Sequence, residues 1–137
     1  MTRVLIDTNI LVSAVLFPQS VPARAFFKAV TPPCRAVVCD YSFDELRRVF
    51  NSKFQHKIQD YERFLSIMVS SVEIVPTPPD DENAKNIPQL RDVKDLPILC
   101  AALAAKADTL ITGDKDFLEF HLANICIMSA AAFLEIL

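Results

Sequence analysis

This sequence has no stretch long and apolar enough to cross a bilayer. Ile10 to Phe17 is too short and follows a charged start at Arg3 and Asp7, and no segment has the form of a targeting element. The expectation is a soluble, cytoplasmic protein with no membrane partner. Zinc-type cysteine pairs are also missing: Cys34, Cys39, Cys100 and Cys126 are scattered, the last two inside apolar runs, so all four are expected as buried reduced thiols. The two histidines, His56 and His121, lie outside every acidic motif and are expected to be ordinary surface or core residues. There is no internal repeat, low-complexity tract or linker. The 137 residues therefore predict a single domain, 1–137, large enough to bury about two thirds of its unfolded surface without disulfides or a structural metal. Nor is there an excess of base: a formal charge of −3 argues against a protein that holds nucleic acid mainly by counterion release.

What the chain does have is acid at regular places. From Arg91 to Phe117 (RDVKDLPILCAALAAKADTLITGDKDF), Asp92 and Asp95 precede an apolar, helix-forming run, and Asp114 and Asp116 follow a short buried strand, Thr109 to Thr112. A helix from Leu96 to Lys106 climbs roughly 16 Å, and an extended Asp108 to Gly113 runs back over roughly 17 to 20 Å. Both acid pairs are thus expected at one level, the carboxyl end of the strands, where open α/β sheets place their ligands.

The remaining segments fit the same plan. Arg3 to Ile6 predicts a central strand that ends on Asp7, with Asp7, Thr8 and Asn9 capping a helix from Ile10 to Phe17. A second helix is expected over Ala23 to Val30, and a second strand over Ala36 to Cys39. From Ser42 onward, Phe43, Leu46, Phe50 and Phe54, then Ile58, Tyr61, Leu65, Met68 and Val72, recur at helical spacing and predict a helical hairpin. Its basic residues, Arg47, Arg48, Lys53, His56, Lys57 and Arg63, form either a solvated face or a phosphate-contacting one. Val72 to Val75 predicts a third strand, Pro76 to Asp81 an acidic proline-rich loop placed to rim a site, and Ile125 to Met128 a last strand before a helix capped by Ser129. The β/α alternation implies a mainly parallel sheet covered by helices on both faces.

Three segments therefore bring acids to one sheet end: Asp7, Glu45, and the pairs Asp92/Asp95 and Asp114/Asp116. Taken singly, each has a plain structural alternative. Ser42 and Glu45 have capping-box spacing, Asp95 and Asp114 are placed to cap helices, and Asp92 and Asp116 suit solvated turns. Taken together, four clustered carboxylates repel unless something neutralises them. A hard divalent cation does so, and an oxygen-only set favours magnesium or manganese over zinc. A cation-filled cluster also presents positive charge to phosphate despite the acidic balance of the chain.

The ordered motifs VLIDTN (Val4 to Asn9), Glu45-Leu46, RDVKD (Arg91 to Asp95) and TGDKDF (Thr112 to Phe117) resemble the four acidic motifs of PIN-domain nucleases, in particular toxins of the VapC type. The similarity spans nearly the whole chain. It implies a three-layer α/β/α fold and a metal-dependent ribonuclease that leaves a 5′-phosphate and a 3′-hydroxyl. It further implies a cognate antitoxin. Carried over residue by residue, it makes Asp7, Glu45, Asp95 and Asp114 the metal-binding and catalytic acids, with Asn9 orienting Asp7 and Thr112 near the phosphate. Asp92 and Asp116 have supporting roles, and the resemblance leaves open which member of each doublet touches the metal. Most phenylalanines between Ala23 and Phe64 are expected in the core, with the alternative that several offer an apolar face for a second copy of the chain or an antitoxin helix.

Three other readings share features with this one: a PIN-family RNA-processing nuclease that is not a toxin, a haloacid-dehalogenase-like phosphatase, and a non-catalytic RNA-binding module. The phosphatase class needs an aspartate two residues after the first, where this chain has Asn9. The binding module would be marked by loss of an acid, and the set here is complete.

Overall fold

The computed structural model describes residues 2–78, 96–119 and 124–136. The elements within them are β1 (Thr2–Ile6), α1 (Thr8–Leu16), α2 (Val21–Ala29), β2 (Cys34–Cys39), α3 (Asp40–Ser52), a 3-10 turn (Gln55–Lys57) and α4 (Ile58–Ser71). They continue with β3 (Glu73–Val75), α5 (Leu96–Ala104), β4 (Thr109–Ile111), α6 (Lys115–Leu118), β5 (Cys126–Met128) and α7 (Ala130–Glu135). The strands form one sheet in the order β3-β2-β1-β4-β5, and every pairing is parallel.

A parallel sheet must be covered on both faces, and the alternation of side chains along the strands does this here. Val4 and Ile6 of β1, Ala36 and Val38 of β2, and Ile111 of β4 pack on one side against α1, α2, α3, α4 and α7. Leu5, Val37, Cys39 and Leu110 point the other way, into a core closed by α5 and by Phe117 of α6. The result is the expected three-layer α/β/α arrangement. Its second layer explains the composition of α5, whose Ile98, Leu99, Cys100, Ala101 and Ala102 are all buried.

Most element boundaries agree with the sequence to within a few residues; three differences have physical causes. Helix α5 stops at Ala104 because Lys106 turns to a left-handed φ of 55°, and the amides of Lys106 and Ala107 bond back to Leu103 and Ala102. Helix α3 begins at Asp40 rather than Ser42, directly on the end of β2. Cys126, expected in the core, is exposed on the edge strand β5, and Cys34 is only half-buried; Cys39 and Cys100 are buried, and all four are free thiols. His56 is exposed, while His121 lies outside the described residues. Among the described residues no single helix is long and apolar enough to cross a membrane.

Charge at the amino ends of the strands is compensated. Arg3 holds both oxygens of Glu73 at 2.8 Å, and Arg35 Nε reaches Glu73 Oε1 at 2.8 Å. The hydrogen bonds from Arg3, with the Arg35 contact and the charge of both guanidiniums, pull the Glu73 carboxyl down to about 2. Because its folded value is depressed, the stabilisation from Glu73 is complete above its ordinary value near 4.5 and fades as pH falls through about 2. Denaturant melts of Glu73→Gln are expected to show a loss of roughly 1 kcal/mol at pH 7 that vanishes near pH 2.

Candidate active site

The chain winds from β1 through β2 to β3 in one direction and resumes at β4 on the other side of β1, so the strand order reverses between β1 and β4. Crevices at such a reversal, beyond the carboxyl ends of the strands, are where open α/β sheets hold ligands. Asp7 follows β1 at this point, and Thr112 and Asp114 follow β4. The Asp7 amide donates to the Ile111 carbonyl at 3.0 Å, which locks the two strand ends together.

Asp7 is buried and caps α1. Its Oδ1 accepts from the Thr8 amide at 2.7 Å and its Oδ2 from the Thr112 hydroxyl at 2.7 Å. Thr112 in turn accepts from the Asp114 amide at 3.0 Å, and Asp114 Oδ1 accepts from the Asp116 amide at 2.8 Å, capping α6. Asp114 is half-buried and Asp116 exposed. From α3, Glu45 Oε1 lies 2.8 Å from the Thr8 hydroxyl. Asp7, Glu45 and Asp114 are thus tied to one another through two threonines, Thr8 and Thr112.

The electrostatics here are the reverse of those at Glu73. Burial pushes the Asp7 carboxyl up to about 6; the hydrogen bonds from Thr112 and Thr8 oppose the rise, and the charges of Glu45 and Asp114 add to it. None of the ion pairs among the described residues reaches Asp7, Glu45 or Asp114. A buried carboxylate with like charges near it and no cation paired to it among the described residues suits a hard divalent ion, and every donor in the set is oxygen. No three such groups among the described residues stand close enough to form a complete metal cage. Asp92 and Asp95, the remaining expected acids, lie outside the described residues.

Three sequence-based assignments change. Asn9 is exposed and makes neither of the hydrogen bonds to Asp7; the Thr8 amide and Thr112 hydroxyl do. The capping box is also absent. With α3 starting at Asp40, the Ser42 hydroxyl and the Glu45 carboxylate both turn to Thr8 instead of to the helix amides. Thr112, expected beside a phosphate, is fully buried with its hydroxyl on Asp7. Thr8, Ser42 and Cys39 are the neighbours that sequence reasoning missed as part of the site. The signal available was the i, i+3 spacing of Ser42 and Glu45, which puts them on one helix face whatever their partner.

Other expected surroundings are partly present. Thr77, after β3, bonds Asp40 through its amide at 3.0 Å and its hydroxyl at 2.6 Å, which holds the start of the proline-rich loop against the first turn of α3. Residues 79–81 of that loop lie outside the described residues. On the helical hairpin, Arg47 pairs with Asp44 at 3.3 Å, and Lys57 and Arg63 pair with Asp60 at 3.7 and 3.6 Å. Arg48, next to this pair, is exposed and bonds the Asp44 carbonyl.

Residues 3–116 match the PIN domain family, and the chain belongs to that family, the nuclease family its acidic motifs resemble. No curated protein matches it at the sequence level. Among solved structures it is similar to VapBC2 from Rickettsia felis bound to a DNA fragment from their promoter, with a TM-score of 0.70 and 19% identity over 93% of this chain and 98% of the other. It is also similar to VapBC-1 from nontypeable Haemophilus influenzae, with a TM-score of 0.63 and 20% identity over 95% and 99% of the two chains. DNA-bound VapBC from Salmonella typhimurium gives a TM-score of 0.63 and 14% identity over 95% and 99%. At these identities the likeness is one of fold.

Proposed function

We propose that this protein is a divalent-metal-dependent endoribonuclease and the toxin component of a toxin-antitoxin pair. The observation that carries the proposal is the buried Asp7 at the strand reversal, which no ion pair among the described residues reaches, linked through Thr8 and Thr112 to Glu45 and Asp114.

Asp7, Glu45 and Asp114, joined by Asp95 or Asp92, would hold Mg2+ or Mn2+, with Asp116 in a supporting position. When bound, the cation supplies a water of lowered pKa and charge stabilisation for the phosphoryl oxygens during in-line displacement. The protein's own part is preorganisation. Thr112 and Thr8 fix the two oxygens of Asp7 so that neither has to reorganise when negative charge develops. No histidine acts as general base in this scheme. Arg47 and Arg48, exposed on the helix that carries Glu45, would meet the RNA backbone in this scheme.

The similar structures are of VapBC, and by that analogy the partner here is a cognate antitoxin protein. Exposed Phe17 and Phe27 offer apolar surface for it or for a second copy of the chain. The test is a cleavage assay with Mg2+ on a structured RNA and on a phosphomonoester, with and without the co-purified product of a small adjacent gene. RNA cleavage that the partner suppresses is expected. Hydrolysis of the phosphomonoester with intact RNA would assign a phosphatase instead.

A further inference from the structure

Among the described residues, Thr8 alone bonds both Asp7 and Glu45. Its amide donates to Asp7 Oδ1 at 2.7 Å, while its hydroxyl oxygen lies 2.8 Å from Glu45 Oε1 and 2.8 Å from Ser42 Oγ. Ser42 Oγ lies 3.5 Å from Cys39 Sγ. Thr8 is 4% exposed and Ser42 and Cys39 are 0% exposed, so water does not compete for these contacts.

The proton count gives this chain a direction. A threonine hydroxyl has one proton, and a carboxylate has none to give, so the Thr8 proton goes to Glu45, the charged and stronger acceptor. Thr8 can then only accept from Ser42, which frees the Ser42 oxygen to accept from the Cys39 thiol. The order is Cys39 to Ser42 to Thr8 to Glu45. Thr112 is built the same way, accepting from the Asp114 amide and donating to Asp7.

We propose that Thr8, with its hydroxyl aimed by Ser42, is a positioning residue that fixes Glu45 Oε1 and leaves Oε2 as the oxygen offered to the cation. The proposal rests on the metal-site reading above and adds a specific consequence. Outer groups that orient ligating carboxylates change metal affinity by about 10- to 100-fold. Thr8 and Ser42 are therefore expected to govern how tightly the ion is held, rather than how much protein folds.

Isothermal titration with Mn2+ alone, without RNA, tests this on wild type, Thr8→Val, Thr8→Ser, Ser42→Ala and Asp7→Asn, alongside cleavage measured at saturating Mn2+. The Mn2+ dissociation constant is expected to rise about tenfold in Thr8→Val and in Ser42→Ala. Thr8→Ser, which keeps the hydroxyl, should stay within about twofold of wild type because the same donor remains. Cleavage by Thr8→Val and Ser42→Ala at saturating Mn2+ should recover toward wild type. An unchanged dissociation constant in Thr8→Val, or fewer sites at unchanged affinity, marks Thr8 as merely structural and overturns the proposal. If Thr8→Val does not fold, Ser42→Ala decides by the same criteria. Wild type that binds no Mn2+, or Asp7→Asn that binds as tightly as wild type, brings down the metal-site reading and this proposal with it.

Discussion

Asp7→Asn is expected to lower RNA cleavage by at least about 100-fold, the loss that follows from removing a few kcal/mol of charge stabilisation at the reacting phosphate. The same substitution is expected to make the metal-free protein more stable at neutral pH. Ionising a carboxyl whose folded value is about 6, against an ordinary 3.8, costs the folded state up to roughly 3 kcal/mol. The sign follows from the raised value. In chelator, this group's contribution to wild-type stability should be most favourable below about pH 4, fall as pH rises to about 6, and not change further above it. Asn removes that slope. It also replaces one of the two acceptor oxygens with a donor, so Thr112 must turn, and the net gain will be smaller than the full figure. Urea melts of both proteins in chelator from pH 4 to pH 8 measure this. Opposite effects on activity and stability would distinguish a functional acid from a structural cap, whose loss lowers both.

Magnesium is expected to stabilise wild type by about 2.7 kcal/mol at a hundredfold excess over its dissociation constant. For a domain of this size that is roughly an 8 °C rise in melting temperature. Asp114→Asn should lose most of the rise. It retains Oδ1 to accept from the Asp116 amide, so the cap on α6 survives while the charge beside Asp7 is gone. In chelator it should therefore melt at or above wild type. A lower melting temperature in chelator together with a full magnesium response would make Asp114 a cap only.

The parts of the fold that were legible are those set by period and by strand ends. Apolar runs buried on both faces, such as Val4 to Ile6 and Val37 to Cys39, can only be inner strands of a parallel sheet, and the first of them ends on an acid. The approach of Asp7 to Thr112 and Asp114 followed from that. Partners chosen by long-range competition were not legible. Ser42 and Glu45 have the spacing of a capping box, and nothing local says that Thr8, on another element, will take both side chains. In VLIDTN either Thr8 or Asn9 could be expected to orient Asp7, and only the turn into α1 decides that Thr8 faces it while Asn9 faces solvent. Cys126 sits in an apolar run, yet β5 is an edge strand with one side uncovered, so its burial could not be inferred from its neighbours in sequence.

In the proposed reaction, carboxylates at the strand reversal cut RNA through a bound divalent cation. End-group analysis of one defined RNA, incubated with the protein in Mg2+ and separately in chelator, tests it most directly. Cleavage in Mg2+ alone, leaving a 5′-phosphate and a 3′-hydroxyl, is the predicted result. Equal cleavage in chelator, with 2′,3′-cyclic phosphate ends produced by attack of the RNA's own 2′-hydroxyl, would contradict it.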